Sequence, residues 1–194
     1  MKYLIILALC LVTPIITAQS FKNRQNYLSA GLGVDPLGHR YLGGSSFDRT
    51  SIGPIQIAYE RGVTDLLGIG RIGVGGAITQ TFYAQKYIGS LEEIITYNRS
   101  RSGVFVRAAY HFEVEISKMD LYAGLGAGLY FNRDKMTQES SSSPFTSDAF
   151  QSMSVSGAHA LFVGIRYYFT EAFGGYAEAG FGSSLFSAGI VYKL

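Results

Sequence analysis

Apolar and small or polar residues alternate along most of this chain. In the clearest segment, Leu121 to Phe131, every second residue is Leu, Ala or Phe, and the residues between them are Gly or Tyr. A period of two predicts a β-strand, because successive side chains of a strand point to opposite faces. A face of glycine with a few tyrosines suits the crowded interior of a small closed barrel. The apolar face must then point outward into lipid, which is the inside-out pattern of a transmembrane β-barrel.

Eight segments show this alternation, and their lengths match the roughly 9 to 11 residues of a tilted membrane strand. They cover about residues 26–34, 51–60, 67–83, 102–114, 121–131, 156–169, 175–182 and 185–194. The predicted fold class is therefore all-β, as an eight-stranded antiparallel up-and-down transmembrane β-barrel. Pro54, near the start of the second segment, predicts a ladder break or a bulge there.

The connections between these segments alternate in length. Long polar connections cover about residues 35–50, 84–101 and 132–155, and short ones cover about 61–65, 115–120 and 170–174. Outer-membrane barrels have short periplasmic turns and longer external loops. We therefore expect both termini in the periplasm and three long loops outside the cell, with residues 182–184 forming an external tight turn.

Residues 1–18 are predicted to be a cleaved signal peptide, which leaves residues 19–194 as the barrel domain. Lys2 gives a positive start, residues 3–12 form an apolar run, and Ala18 is a small residue at which a signal peptidase could cut. The apolar run is shorter than the roughly 20 residues that a membrane-spanning helix needs. Cys10, the only cysteine, lies inside this signal, so the mature chain would contain no disulfide and no cysteine metal site.

The overall composition fits a sheet rich in glycine and tyrosine. The chain has 24 glycines, 14 tyrosines and 13 phenylalanines, and its net charge of +2 gives no indication of a nucleic-acid partner. Several aromatic residues have outward parity near the strand ends, where they would form two girdles at the depth of the lipid headgroups. They are Tyr59, Phe112, Tyr167, Phe169 and Tyr192 at the periplasmic ends and Phe82 and Phe131 at the external ends.

Four stretches carry a resemblance to a known family. They are the export signal, the two alternating runs Val106–Phe112 and Leu121–Gly128, and the chain end from Gly175 to Leu194. With them the chain resembles small bacterial outer-membrane proteins with an eight-stranded barrel of the OmpA/OmpX kind. The resemblance implies an integral position among outer-membrane lipid and recognition of the last strand by the barrel-assembly machinery. Such strands usually end in an aromatic residue, whereas this chain ends in Leu194.

The inward faces of the predicted strands carry a set of charged residues. They are Glu60, Arg71, Arg107, Glu113, Arg166 and Glu178. A charge inside a narrow lumen needs an opposite partner, so we expect a salt-bridged network that closes the barrel. Glu178 is predicted to pair with Arg166 on the neighbouring strand, with Arg107 and Arg71 as other possible partners. His111 shares the inward parity and is expected to be a satisfied interior histidine.

No pattern in the sequence indicates catalysis or a cofactor. Ser156 and His159 lie near the predicted external rim without a nucleophile-elbow motif, and no spacing of His, Asp or Glu suggests a metal site. The sequence therefore predicts a non-enzymatic outer-membrane barrel whose external loops have structural or surface-interaction roles toward an unknown external ligand. The alternatives are a narrow, porin-like pore for small solutes and, less favoured, a soluble exported ligand-binding barrel. The soluble barrel would need apolar residues inside and polar residues outside.

Overall fold

The computed structural model describes residues 21–34, 46–88, 94–139 and 147–194, so the predicted signal peptide at 1–18 lies outside the described residues. The described chain forms strands β1 Asn26–Val34, β2 Ser46–Gly62, β3 Gly70–Ile88, β4 Ile94–Phe112, β5 Met119–Glu139, β6 Ser147–Tyr168, β7 Phe173–Phe181 and β8 Phe186–Lys193. Each strand pairs antiparallel with the next, and β8 pairs antiparallel with β1 to close the barrel. The predicted all-β, eight-stranded up-and-down barrel is confirmed. Among the described residues, no helix is long and apolar enough to cross a membrane.

The barrel is apolar outside and polar inside. Leu125 and Val106, both predicted to face outward, are 62% and 69% exposed. Gln56 and Thr79, of inward parity, are buried. The residues predicted to form the aromatic girdles are all exposed on the outer surface: Tyr59, Phe112, Tyr167, Phe169, Tyr192, Phe82 and Phe131. This is the arrangement of a transmembrane barrel, because a soluble barrel would place these side chains in its core.

The two ends of the barrel differ. One end, which we call the turn end, carries the short turns at residues 63–69, 113–118 and 169–172 together with residues 21–25. At the opposite end, β2 to β6 continue past the last residues of β1, β7 and β8. The pairing of β1 with β2 ends at Leu32 and Ile55, and that of β6 with β7 ends at Leu161 and Phe181. Beyond these pairs the described parts of β2 to β6 form an open, five-stranded projecting sheet.

The projecting sheet corrects the prediction of three long loops. Residues 84–88 and 94–101 are strand, and so are residues 132–139 and 147–155, so most of the second and third predicted loops belongs to the sheet. Residues 35–45, 89–93 and 140–146 lie outside the described residues. The hydrophobic alternation stops where a strand leaves the lipid, because water then faces both sides of it. The sequence therefore predicts strands that are too short at the end opposite the turn end.

Pro54 interrupts the ladder as predicted. The register between β2 and β3 shifts between Ile52 and Ile55, and Gly53 has a φ of 99° that residues other than glycine rarely adopt. The bulge predicted from Pro54 is therefore present, and the ladder resumes with Ile55 opposite Gln80.

Glycines of the inner face make room for large side chains that cross the lumen. A side chain at Gly164 would collide with the ring of Tyr122, and one at Gly124 would collide with the ring of Phe162. Both aromatic residues are buried and belong to the interior cluster. The alternation of glycine and aromatic residues thus fills the barrel, as an eight-stranded barrel requires.

Candidate functional site

Arg166 lies at the centre of a charged cluster inside the turn end. Its Nη2 atom donates to Oε2 of Glu60 on β2, and its Nη1 atom lies 3.3 Å from Oδ2 of Asp120 on β5. The guanidinium group of Arg166 on β6 therefore bridges two carboxylates from different strands. Arg166 is 5% exposed. A planar group with several donors suits such a position better than a lysine ammonium would.

His111 closes this cluster into a ring of four side chains. Its Nδ1 atom lies 2.8 Å from Oδ1 of Asp120, and its Nε2 atom lies 2.6 Å from Oε1 of Glu60. Ionised carboxylates only accept hydrogen bonds, so if both carboxyls are ionised, the His111 imidazole donates from both nitrogens and carries a positive charge. Two cations, Arg166 and His111, then balance two anions, Glu60 and Asp120. The cluster is neutral as a whole, which limits the cost of burying it.

A second charged pair crosses the lumen farther from the turn end. Nη2 of Arg107 on β4 lies 2.5 Å from Oε2 of Glu178 on β7. The hydroxyl of Tyr122 donates to the same Glu178 oxygen at 3.2 Å, and the Arg107 guanidinium lies 3.9 Å from the centroid of the Phe162 ring. The Arg166 guanidinium lies 4.7 Å from the centroid of the Tyr122 ring. Tyr122 therefore contacts both charged groups and links them.

Phe21 covers the cluster at the turn end. Its ring is stacked on that of His111 with centroids 3.5 Å apart and on that of Tyr27 with centroids 4.7 Å apart. Phe21 is buried although it precedes the first strand. An aromatic ring as well as ion pairs thus occupy the lumen at this end.

The gap between the two charged groups is small. A cavity of about 20 Å³ lies among residues that include Glu60, Arg107, Arg166, Tyr176 and Glu178. This is room for about one water molecule. Nε of Arg166 is buried and has no hydrogen-bond partner among the described residues, so a single water here would satisfy a polar atom that they leave open.

Four of the six charged residues predicted to face the lumen belong to these two groups: Glu60, Arg107, Arg166 and Glu178. Arg71 and Glu113 pair with each other instead, with Nη1 of Arg71 3.5 Å from Oε2 of Glu113. Glu113 follows the last residue of β4 and is exposed, so this pair lies apart from the buried cluster at the rim of the turn end.

The predicted partner of Glu178 is wrong. Glu178 pairs with Arg107 rather than with Arg166, because Glu178 lies opposite Gly164 in the ladder and Arg166 lies opposite Tyr176. The Arg107 side chain starts beside Gly126, where the absence of a Cβ leaves space for it to cross the lumen. Arg107 was among the alternative partners, but a contact across the barrel cannot be ranked from strand order alone.

Sequence reasoning missed Asp120, which belongs to the charged cluster, and Phe21, which covers it. His111 was expected to be a satisfied interior histidine, which its two hydrogen bonds confirm. Asp120 was assigned to the turn at 115–120, although its inward parity with Tyr122 on β5 was a usable signal. Phe21 gave no signal, because it lies outside the alternating segments.

A further ion pair lies on the projecting sheet. Nε of Arg99 on β4 lies 2.6 Å from Oδ1 of Asp134 on β5, and Nη2 of Arg99 lies 3.1 Å from Oδ2, so the contact is bidentate. Arg99 also donates to the hydroxyl of Tyr97 at 3.1 Å. Partial burial acts to raise the pKa of the Asp134 carboxyl, but the hydrogen bonds from Arg99 and Tyr97 outweigh it, and the pKa lies below its ordinary value.

The described residues contain no group of His, Cys, Asp and Glu side chains arranged to hold a metal ion. Ser156 and His159 lie on opposite faces of β6, because Ala158 and Ala160 share the parity of Ser156 and Ala160 is buried in the interior cluster. The geometry therefore does not bring these two side chains together as a nucleophile and a base.

Solved structures include chains that are similar to this one. No protein-family model matches the chain, and no curated protein sequence matches it. The solved structure of Ail, the attachment invasion locus protein of Yersinia pestis, is similar with a TM-score of 0.49 and 17% sequence identity. The match covers 89% of this chain and 100% of that one.

Proposed function

We propose that this chain is an integral outer-membrane β-barrel without enzymatic activity, with a lumen closed by side chains and a projecting sheet that contacts other molecules outside the cell. The observation that carries the proposal is the inverted barrel. Apolar side chains such as Leu125 and Val106 cover its outside, while Arg166 and Glu178 are each 5% exposed inside it. Lipid is the solvent that this outer surface requires.

The outward apolar face also argues against a soluble exported ligand carrier. A carrier of that kind would hold its ligand in an apolar interior, whereas this interior holds Glu60, His111, Asp120 and Arg166 in one hydrogen-bonded ring. The last strand keeps outward apolar residues at Phe186, Ile190 and Tyr192. This alternation supports recognition by the barrel-assembly machinery as part of the proposal.

The closed lumen favours a structural or binding role over a pore. Side chains fill successive levels of the lumen: the two charged groups, the ring of Tyr122 and the ring of Phe21. The cavity between the two charged groups has room for about one water molecule. Planar-bilayer recording of the purified protein tests this. We expect no stable conductance steps, whereas open channels of reproducible size would establish the alternative of a narrow pore for small solutes.

The projecting sheet is the surface that we propose for external contacts. Residues 147–160 of β6 pair with β5 alone. One edge of their backbone therefore has no neighbouring strand among the described residues. Such an edge can accept a strand of another protein through main-chain hydrogen bonds. The Arg99–Asp134 pair fixes β4 against β5 behind this edge.

Membrane location and orientation can be tested with single cysteines, because Cys10 is the only cysteine of the chain. In the first variant, Lys135→Cys places the cysteine on the projecting sheet, and in the second, Lys118→Cys places it at the turn end. In intact cells, a maleimide that cannot cross membranes should label the first and label the second only after the outer membrane is permeabilised. The protein should fractionate with the outer membrane and should migrate differently on gels before and after heating. The reverse labelling pattern would overturn the orientation, and recovery without detergent would overturn the membrane assignment.

A further inference from the structure

The turn end contains a recess outside the charged lumen. It has a volume of about 660 Å³ and lies between the segment before β1, the turns before β5 and β7, and the end of β8. Buried Tyr27 and Tyr168 separate it from the cluster around Arg166. The ring of Phe169 lines one side and packs against Tyr167 of the aromatic girdle and against the exposed Phe173. The recess therefore adjoins the surface that faces lipid.

Three lysines, Lys22, Lys118 and Lys193, line this recess, which we call the lysine recess. Within the described part of the chain, none of them forms an ion pair. Glu171 is the only acidic side chain among the described residues that line it. Nζ of Lys193 lies 3.6 Å from the centroid of the Tyr168 ring, which attracts the ammonium group without neutralising it. Three lysines and one glutamate thus give the lining side chains an excess of positive charge.

Hydroxyl groups add uncharged donors to the same recess. Oγ1 of Thr170 accepts a hydrogen bond of 2.9 Å from the backbone N–H of Phe173, which leaves the hydroxyl hydrogen of Thr170 to donate elsewhere. Ser117 also lines the recess. Ammonium and hydroxyl donors around an open volume match the several acceptor oxygens of a phosphate group.

We propose that the lysine recess binds a negatively charged phosphate group through Lys22, Lys118 and Lys193. The group can belong to the headgroup of an anionic phospholipid in the adjacent leaflet or to a free phosphate. Both share the oxygen chemistry that the lysines recognise. Phe169 and Leu194 on the rim offer contact to an acyl chain in the first case.

The test uses the refolded protein, labelled with nitrogen-15, in micelles of an uncharged detergent. Sodium phosphate at constant ionic strength and a short-chain phosphatidylglycerol are titrated separately, and amide chemical shifts are followed by NMR. We expect the amides of Lys118, Thr170 and Lys193 to shift and saturate. Saturation with both probes would assign the site to the phosphate group alone, and saturation with the lipid alone would assign it to a lipid headgroup.

A matched pair of double variants separates a site from diffuse charge. Lys22→Gln with Lys118→Gln should raise the dissociation constant roughly thirtyfold, because each lysine near an anionic surface contributes roughly fivefold. Both lysines are exposed, and their backbone groups keep the hydrogen bonds to Tyr27 and Tyr168, so the fold should persist. Arg24→Gln with Arg61→Gln removes the same charge at the same end outside the recess and should leave the constant unchanged. Equal weakening by both double variants, or no saturable shift with either probe, would overturn the proposal.

Discussion

Arg107 and Glu178 form an ion pair across the lumen although they lie on β4 and β7, which are not neighbours in the sheet. Their closest atoms are 2.5 Å apart, and Glu178 also accepts a hydrogen bond from Tyr122. This pair ties opposite walls of the barrel together, whereas the ladder hydrogen bonds join only adjacent strands. Removal of one partner leaves the other charge buried without compensation, which is the costly way to break a buried pair.

Glu178→Ala should therefore destabilise the barrel by roughly 3 to 5 kcal/mol, less if water enters the space. Urea unfolding in detergent or lipid, followed by circular dichroism, measures the loss. Glu113→Ala breaks the partly exposed pair with Arg71 at the rim, whose side chains are 12% and 28% exposed, and should cost no more than about 1 kcal/mol. Equal unfolding midpoints for Glu178→Ala and the parent would show that the pair does not close the lumen.

Gly164→Val should destabilise the barrel because the new side chain collides with the ring of Tyr122. Tyr122 donates to Glu178, so its displacement also weakens the ion pair. We expect a loss of about 1 to 3 kcal/mol, as is typical of overpacking. Gly157→Val is the matched control on the same strand, because a Cβ there meets nothing within 4 Å. The argument fails if both variants unfold at the same urea concentration.

Phe21→Ala should loosen the turn end, since the Phe21 ring covers His111 and Tyr27. Truncation of a buried phenylalanine costs about 3 to 5 kcal/mol in a well-packed core, and this ring is buried. Amide exchange of β4 and β5 near His111 should accelerate more than exchange at the projecting end. Phe173→Ala, which truncates an exposed ring at the turn end, is the control. Unchanged exchange near His111 would mean that Phe21 does not hold the cluster.

The Arg99–Asp134 pair should make the projecting sheet sensitive to acid. The folded pKa of Asp134 lies below its ordinary value of 3.8, so the stabilisation is complete above that value and is lost as pH falls through the folded pKa. Amide protection factors of β4 and β5 in this sheet should be constant from about pH 7 to 5 and fall below about pH 4, by the equivalent of about 1 kcal/mol. Asp134→Asn should show the lower protection at every pH. Unchanged amide protection of the unsubstituted protein at low pH would contradict this account.

The sequence predicted the barrel because the residues that face lipid are apolar, whereas the alternate residues that face the lumen are small or polar. Leu125 and Gly126 differ for that reason, and the same contrast recurs in all eight strands. The contrast disappears where water meets both faces of a strand, as at Asn98 and Arg99, so the projecting sheet was read as loop. Parity also identified most residues of the charged groups, but it missed Asp120 and did not give the pairing of Glu178. That contact depends on the width of the barrel and on the space beside Gly126, which no local pattern encodes.

The unequal strand lengths determine how far the protein reaches from the membrane. β5 continues eight residues past Phe131, from the girdle to Glu139, which at about 3.3 Å per residue is roughly 26 Å of strand. With the usual tilt of a barrel strand this corresponds to a height of roughly 19 Å, whereas the headgroup layer is only about 5 to 8 Å thick. The upper part of the sheet thus has steric clearance above the lipid, and among the described residues the short β1, β7 and β8 leave one flank low. In the proposed orientation, a macromolecule can therefore approach the described part of the sheet from the side without displacing lipid.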